Sequence, residues 1–219
     1  ECSPAELRKM PLCMDRINKV REYRLASPSA GTIKLAERPT RFHVENMPKG
    51  NYIVVPEVSS QRRRYIPIGF FTPEIFCSNL VKIIPDATLY HFGILTSNVH
   101  MAWMRVVCGR LKSDYRYSKD IVYNNFPWTL PTEQQKQKIE QTAQAILDAR
   151  AIYPDSSLAD LYDELTMPSE LRKAHQQNDK AVMQDYGFDI RTTTESSCVA
   201  ELMKMYQELT EKENARGRK

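Results

Sequence analysis

The chain has 219 residues, 42% of them hydrophobic and 26% charged, a balance that excludes a disordered segment and a mini-protein. Its five cysteines form no C-x-x-C pair and lie near no pair of histidines, so the sequence indicates neither a zinc site nor a disulfide framework. The net charge of +4 is unevenly distributed. Residues 1–130 hold 19 Lys and Arg against 11 Asp and Glu, a net +8, while residues 131–219 hold 12 against 16, a net −4. The basic half favours a polyanionic partner.

The chain begins at Glu1 rather than at a methionine, and no signal-like apolar segment follows, so we expect an excerpt from a longer polypeptide. Residues 87–104 contain no Asp, Glu, Lys or Arg and approach the length of a membrane span. Polar residues such as His91 and His100 interrupt that stretch. It therefore predicts a buried strand and helix of a soluble protein, and no membrane partner.

The first half of the chain has the pattern of mixed α and β structure. Residues 4–23 carry apolar side chains at helical spacing, and Pro11 should break or restart that helix. Four segments rich in β-branched and aromatic residues then predict the strands of a small sheet. These segments are 51–58, 64–71, 80–85 and 87–95. A helix is expected from about Ser97 to Gly109.

A domain boundary is predicted at residues 127–135, where two prolines bracket a short extended segment and Thr132 can cap a helix. The rest of the chain predicts four helices joined by turns that contain Pro or Gly. They are expected at 133–152, 157–165, 169–186 and 195–213. The predicted fold class is α+β: a mixed α/β domain with a small sheet over residues 1–130, followed by an all-α helical bundle over residues 131–219.

Residues 109–128, GRLKSDYRYSKDIVYNNFPW, place basic and aromatic side chains around Asp114. In an extended segment Lys112 and Asp114 would point to the same face, because side chains two residues apart do so. Lysine donates to guanine O6 or N7 and a carboxylate accepts from cytosine N4, so the two side chains together can read one G·C base pair. The alternative is a surface salt bridge between them, of at most about 1 kcal/mol.

Other cations can extend this surface. Arg62, Arg63 and Arg64 precede an apolar segment predicted as a strand, which suits a clamp on phosphates with flexible cations in front of a rigid element. Further candidates for phosphate contacts are Arg105, Arg110 and Lys119. A solvated charged loop is the alternative interpretation for each of these cations. The aromatic side chains favour core packing over the stacking of exposed bases; they are Tyr115, Tyr117, Tyr123, Phe126 and Trp128.

Four strings of the sequence resemble the C-terminal part of MmeI-like (type IIL) restriction-modification enzymes, and the resemblance runs over essentially the whole chain. The strings are RRRYIPIGFF (62–71), ATLYHFGILTSNVHMAW (87–103), GRLKSDYRYSKDIVYNNFPW (109–128) and PDSSLADLYDELTMP (154–168). In that family one polypeptide carries a nuclease, an adenine methyltransferase and a target recognition domain. The resemblance implies that this chain is the recognition domain with a helical C-terminal domain.

The resemblance also implies roles for particular residues. In the family the residues that flank the serine of the recognition motif set the identity of one base pair, and here these residues are Lys112 and Asp114. Arg116 would help to read a neighbouring base, and Leu80 aligns with another specificity position. The implied partners are double-stranded DNA and an upstream methyltransferase domain of the same polypeptide, which would bind S-adenosylmethionine. The implied location is the bacterial cytoplasm.

Catalytic motifs are not found in this sequence. It has no (D/N)PP(Y/F) motif, no glycine-rich loop for S-adenosylmethionine and no convincing nuclease motif, and its four histidines are scattered. We therefore expect no catalytic residue, no metal site and no cofactor within this chain. Two other functions stay open: a helical module that docks on a partner protein, with incidental nucleic-acid binding, and a non-specific binder of single strands that uses the aromatic residues.

Overall fold

The computed structural model describes residues 2–216, the last of them as backbone only, and the chain divides into two compact units between Met47 and Pro48. The first unit contains three helices, α1 (Pro4–Leu7), α2 (Pro11–Leu25) and α3 (Ala30–Lys34), and a 3₁₀ turn at Leu35–Glu37. Pro11 is the first residue of α2, which confirms the predicted restart of the helix.

Hydrogen bonds rather than an apolar core hold the end of the first unit. The guanidinium of Arg24 donates to the carbonyl oxygens of Leu35, Arg38 and Arg41, at 2.9, 2.9 and 2.8 Å. Ala36 is the one buried residue among the described residues of this unit. The unit therefore contributes little apolar burial of its own.

The second unit begins with a three-stranded antiparallel sheet. Its strands are β1 (Tyr52–Pro56), β3 (Gly69–Phe71) and β4 (Val81–Pro85), in the order β3-β1-β4. The central strand β1 is buried over its first four residues, as expected of a strand covered on both faces. The predicted strand at 64–71 forms only over its last three residues, because Pro67 lacks the N–H group that a strand needs there.

A second antiparallel sheet is built from shorter strands: β2 (Val58–Ser59), β5 (Gly109–Leu111) and β6 (Asp114–Arg116), in the order β2-β6-β5. The segment predicted as one strand at 51–58 is thus divided between two sheets. The break falls at Glu57, which pairs in neither sheet.

Residues 87–95, predicted as a strand, form the helix α4 (Leu89–Leu95), so that prediction is wrong. Thr88 begins the helix, and its hydroxyl lies 2.9 Å from Nδ1 of His91 in a capping box. An apolar run without a polar face suits a buried helix as well as a buried strand, and here the helix is enclosed by other helices. The predicted helix near 97–109 is α5 (Asn98–Val107), capped by Ser97.

The remaining chain is helical, as predicted. The helices are α6 (Glu133–Ala151), α7 (Leu158–Leu161), α8 (Ser169–Asp185) and α9 (Glu195–Arg216). Thr132 caps α6 in a capping box with Gln135. The fold class is α+β, with small antiparallel sheets followed by a helical region, which confirms that prediction. None of the helices in the described part of the chain has the length and hydropathy of a membrane span.

One apolar core joins the sheet region to the helices. Helix α6 packs along α8 and also against α4, while α5 packs against α9. The core runs without a break from Ile53 in β1 to Leu202 in α9. Since residues on both sides of position 130 share this core, packing gives no boundary there, and the predicted division at 130/131 stays a prediction.

A buried carboxylate on α8 ties three elements together. Asp179 accepts hydrogen bonds from the hydroxyl of Tyr65 (2.6 Å) and from the backbone N–H of Asn98 (2.8 Å), the first residue of α5. Burial raises the pKa of Asp179 to about 6 in spite of these bonds. The ring of His175 stacks on Tyr65 at 4.2 Å. This network holds the start of α5 and the residue that follows the three arginines.

Candidate nucleic-acid interface

Strands β5 and β6 form a hairpin closed by a two-residue turn, Lys112–Ser113. Lys112 has a φ of 56°, in the left-handed region that glycine adopts most readily and that suits the first turn position of such hairpins. Lys112 is therefore not in extended backbone, and the expectation that it shares a strand face with Asp114 is wrong. Its exposed side chain lies instead at the tip of the hairpin.

Strand β6 presents two polar side chains on one face. Tyr115 is buried, whereas Asp114 is half-buried and Arg116 is exposed, as the alternation of a strand requires. The carboxylate of Asp114 accepts a hydrogen bond from the backbone N–H of Gln61 (3.2 Å). Among the ion pairs of the described residues none joins Lys112 to Asp114, so the salt-bridge alternative is not formed.

Arg110 braces the hairpin. Its guanidinium lies 4.1 Å from the centre of the Tyr115 ring, a cation–π contact. It also donates to the carbonyl oxygens of Ser113 (3.2 Å) and Arg105 (3.4 Å). The side chain thus joins the turn to the end of α5, and it remains exposed on the outer surface.

Glu57 is a residue of this surface that the sequence analysis missed. Its carboxylate accepts hydrogen bonds from Lys82 (3.2 Å) and Arg116 (3.5 Å), which lower its pKa, Lys82 most strongly. Its backbone N–H donates to the carbonyl of Leu80 (3.0 Å), and its carbonyl accepts from Tyr117 (2.8 Å). The available signal was an acid near the end of the strand predicted at 51–58, within the basic half of the chain.

Leu80 lies just before β4 and is 66% exposed, which is high for a leucine. Through Glu57 it is connected to Arg116 on the hairpin. The structure therefore brings Leu80 beside the predicted reading residues, although more than 30 residues of chain separate the two segments. Lys119 begins a π-helical turn (Lys119–Tyr123) and lies 3.8 Å from the carboxylate of Asp120.

The three consecutive arginines lie in a turn rather than directly on a strand. The backbone N–H of Arg63 donates to the carbonyl of Ser60 (3.1 Å). Arg62 and Arg64 are exposed, and Arg63 is half-buried with one guanidinium nitrogen 3.4 Å from the carbonyl of Ala159. We call residues 61–64 the arginine loop.

Arg105 on α5 connects the arginine loop to the first turn of α9. Its guanidinium donates to the carbonyl of Arg64 (2.6 Å) and forms an ion pair with Glu195 in the first turn of α9 (3.2 Å). Gln61 of the arginine loop is hydrogen-bonded to Asp114 of the hairpin. The loop and the hairpin therefore form one continuous surface.

The five aromatic residues pack as predicted: Tyr115, Tyr117 and Phe126 are buried, and Tyr123 and Trp128 are packed partly buried against the core. His100 and His175 are buried as well, and desolvation lowers the pKa of His100 to about 3. Over residues 2–216 no cluster of His, Cys, Asp and Glu could hold a metal ion.

The fold and this surface define a recognition domain joined to a helical domain. The family described as "MmeI, target recognition domain" matches residues 1–130, and the family described as "MmeI, C-terminal domain" matches residues 131–213. The chain therefore belongs to the MmeI family and carries its target recognition and C-terminal domains. This confirms the resemblance found in the sequence.

Two relatives agree with this assignment. The chain is 39% identical to DNA methyltransferase A of Bacillus subtilis (strain 168) over 212 aligned residues. The alignment covers 97% of this chain and 24% of that protein. It is also similar to the solved type IIL restriction-modification enzyme MmeI in complex with DNA, with 48% identity and a TM-score of 0.84 over 95% of this chain and 28% of that one. The chain thus spans about a quarter of the length of these relatives.

Proposed function

We propose that this chain reads the DNA sequence for a restriction-modification adenine methyltransferase, and that the hairpin β5–β6 enters the major groove of duplex DNA. The proposal rests on the arrangement of the side chains of β6. Its buried Tyr115 anchors the strand, while Asp114 and Arg116 share the outer face. The tip of the hairpin, residues 111–114, extends beyond the pairing of β6 with β2, and a two-stranded tip is narrow enough for the major groove, where base edges are distinguishable.

Each polar side chain of the hairpin has a partner on the base edges. The carboxylate of Asp114 accepts from cytosine N4, and Lys112 at the tip donates to O6 or N7 of the paired guanine. Arg116 donates to a neighbouring base. Its contact with Glu57, at 3.5 Å, orients the guanidinium before DNA binds. Leu80, exposed beside Glu57, is suited to contact a thymine methyl group.

The remaining cations hold the phosphate backbone and set the register of the hairpin on the duplex. They are Arg62, Arg63, Arg64, Arg105, Arg110 and Lys119. If six to ten phosphate contacts form, the affinity should fall by about 10³- to 10⁵-fold between 50 and 200 mM salt.

The chain performs no chemistry in this proposal. An upstream methyltransferase domain of the same polypeptide binds S-adenosylmethionine and receives the target adenine after it is flipped out of the duplex. One recognition domain then serves both modification and cutting in the bacterial cytoplasm. The helical region supports the hairpin and docks on the methyltransferase domain.

Competition binding with the full chain tests the proposal. We expect selection of one duplex motif from a random library, with single strands and unrelated duplexes competing poorly. Loss of all nucleic-acid binding at modest salt would favour the protein-interaction module. A preference for single strands would favour a non-specific binder.

A charge exchange tests the reading residues. In the full-length enzyme that contains this chain, Lys112→Glu with Asp114→Arg should change one required base pair from G toward C, because glutamate accepts from cytosine N4 and arginine reaches the paired guanine. The measurement is the set of methylated sites across a genome. The matched control is Glu201→Lys with Lys204→Glu, which exchanges an exposed pair on α9, outside the hairpin. An unchanged motif in the hairpin variant would overturn the assignment.

A further inference from the structure

A cavity of about 510 Å³ lies behind the arginine loop. Its walls come from that loop, from α5, from the first turn of α9 and from the segment before α8. Among its lining residues are four arginines and two glutamates: Arg62, Arg63, Arg64, Arg105, Glu164 and Glu195. Asp114 of the hairpin is hydrogen-bonded to Gln61 at the rim, so the cavity borders the proposed reading surface.

The charges of the lining are not balanced within the cavity. Glu164 forms its ion pair with Arg172, at 2.9 Å, and Glu195 forms its ion pair with Arg105, at 3.2 Å. Within the described residues, the three arginines of the loop form no ion pair. The cavity therefore has an excess of positive charge.

Arg63 gives a second, independent indication of a ligand. Its Nε is buried and has no hydrogen-bond partner, although its Nη2 reaches the carbonyl of Ala159. A buried donor of a charged group is expected to have an acceptor, since leaving it unsatisfied is costly.

The chemistry of these groups favours a phosphate. Planar guanidinium groups match the oxygens of a phosphate with two parallel hydrogen bonds. The N-terminus of α9, a helix of 22 residues, opens onto the same cavity through Thr194 and Glu195. The hydroxyl of Thr194 caps the N–H of Ser197 (3.2 Å), and the other first-turn N–H groups favour a negative charge, which the carboxylate of Glu195 supplies there.

We propose that this cavity is a phosphate-binding site, and that Glu195 competes with the phosphate for Arg105. The inference rests on the proposed function where the phosphate belongs to the backbone of the duplex that the hairpin reads. A free nucleotide carries the same group and is the other source. Because Arg105 also holds the carbonyl of Arg64, its release from Glu195 links α9 to the position of the arginine loop.

Glu195→Gln in the full chain tests the competition. This variant should bind a duplex about two- to fivefold more tightly at low salt, as expected when one exposed ion pair no longer competes. The matched control is Glu201→Gln, which removes the same charge from the same helix, where Glu201 pairs with Lys204 at 2.6 Å. Equal effects of the two variants would overturn the proposal, because the loss of one negative charge anywhere on α9 would then explain both.

Arg63→Lys tests whether the site is built for phosphate. It keeps the positive charge and removes the buried Nε, so we expect weaker binding of inorganic phosphate by calorimetry, with the melting temperature unchanged. Arg191→Lys is the control, because that side chain is exposed and lies outside the lining of the cavity. If Arg63→Lys binds phosphate as the unaltered chain does, the cavity is only a cationic surface and the proposal fails.

The same measurements separate this inference from the proposed function. If a duplex displaces bound inorganic phosphate, the DNA backbone is the source. Suppose that phosphate and nucleotides bind, that Arg63→Lys and Glu195→Gln change this binding as expected, and that no duplex binds. The phosphate site then stands and the proposed function fails. If a duplex motif is selected while Glu195→Gln and Arg63→Lys are silent, the function stands and this inference fails.

Discussion

Lys112 adopts a backbone conformation that its side chain disfavours. For a residue with a Cβ atom, the left-handed region is less favourable than the right-handed region by roughly 1–2 kcal/mol. Strain of this kind persists where the surrounding structure enforces it, and it is frequent at functional sites. At the tip of the hairpin the strained residue is also the one that presents an exposed cation. The base contact proposed for Lys112 would explain a lysine at a position where glycine suits the backbone better.

Replacing Lys112 by glycine should therefore stabilise the chain and weaken DNA binding. We expect the free energy of unfolding to rise by roughly 1 kcal/mol or less, because relief of the strain is partly offset by the entropy of glycine. Urea denaturation would show this as a higher midpoint at an unchanged slope.

Lys112→Ala is the matched control for this substitution. It removes the cation and keeps the strain, so it should weaken duplex binding without the gain in stability. A glycine variant less stable than the unaltered chain would contradict the account.

At the scale of elements, Gly93 lets α4 approach α6 and α8. A Cβ atom at this position would lie 2.6 Å from Cγ2 of Ile139 and 3.3 Å from Cβ of Ala143. The Gly93 carbonyl accepts a hydrogen bond from Asn178 (2.7 Å), whose own amide oxygen accepts from Thr142 (3.0 Å). Close packing and a satisfied buried amide thus depend on the absence of a side chain.

Gly93→Ala should destabilise the chain by about 1–3 kcal/mol, as overpacking of a core usually does. Gly109→Ala provides the control, because the nearest atom to its added Cβ would be at 3.9 Å. Thermal unfolding of both variants, followed by circular dichroism, is the measurement. A Gly93 variant as stable as the control would show that the helices can move apart without loss of stability.

At the scale of the whole molecule, the recognition surface depends on helices that follow it in the chain. Arg105 binds Glu195 across about 90 residues, and Tyr65, next to the arginine loop, binds Asp179 on α8. Ile139 and Ala143 of α6 belong to the same core as the residues of α4. The C-terminal helices are therefore part of the structural support of the hairpin and the loop.

A chain truncated after Leu130 should fail to form a cooperative fold, because α4 and α5 would expose the apolar faces that α6, α8 and α9 cover. A chain of residues 48–219 is the control, and we expect it to fold, since the first unit buries one described residue, Ala36. Near-ultraviolet circular dichroism and urea titration distinguish the two. A sharp unfolding transition of residues 1–130 would contradict a shared core.

Local chemistry was enough to predict several features of this protein from its sequence. Pro11 starts a helix, and Thr132 caps the helix that follows it, because proline geometry and capping hydroxyls act over one turn. Four literal strings spread along the sequence identified the family.

Other features were decided only by the tertiary structure. Residues 87–95 are a helix rather than a strand, since an entirely apolar segment has no periodicity to distinguish them and the surrounding helices made the choice. Lys112 lies in a turn because the pairing of β5 with β6 leaves two residues to close the hairpin. Glu57 contacts Arg116, and Arg105 contacts Glu195, only because packing brings distant segments together. Sequence spacing carries no record of such contacts, since they depend on the path of the whole chain.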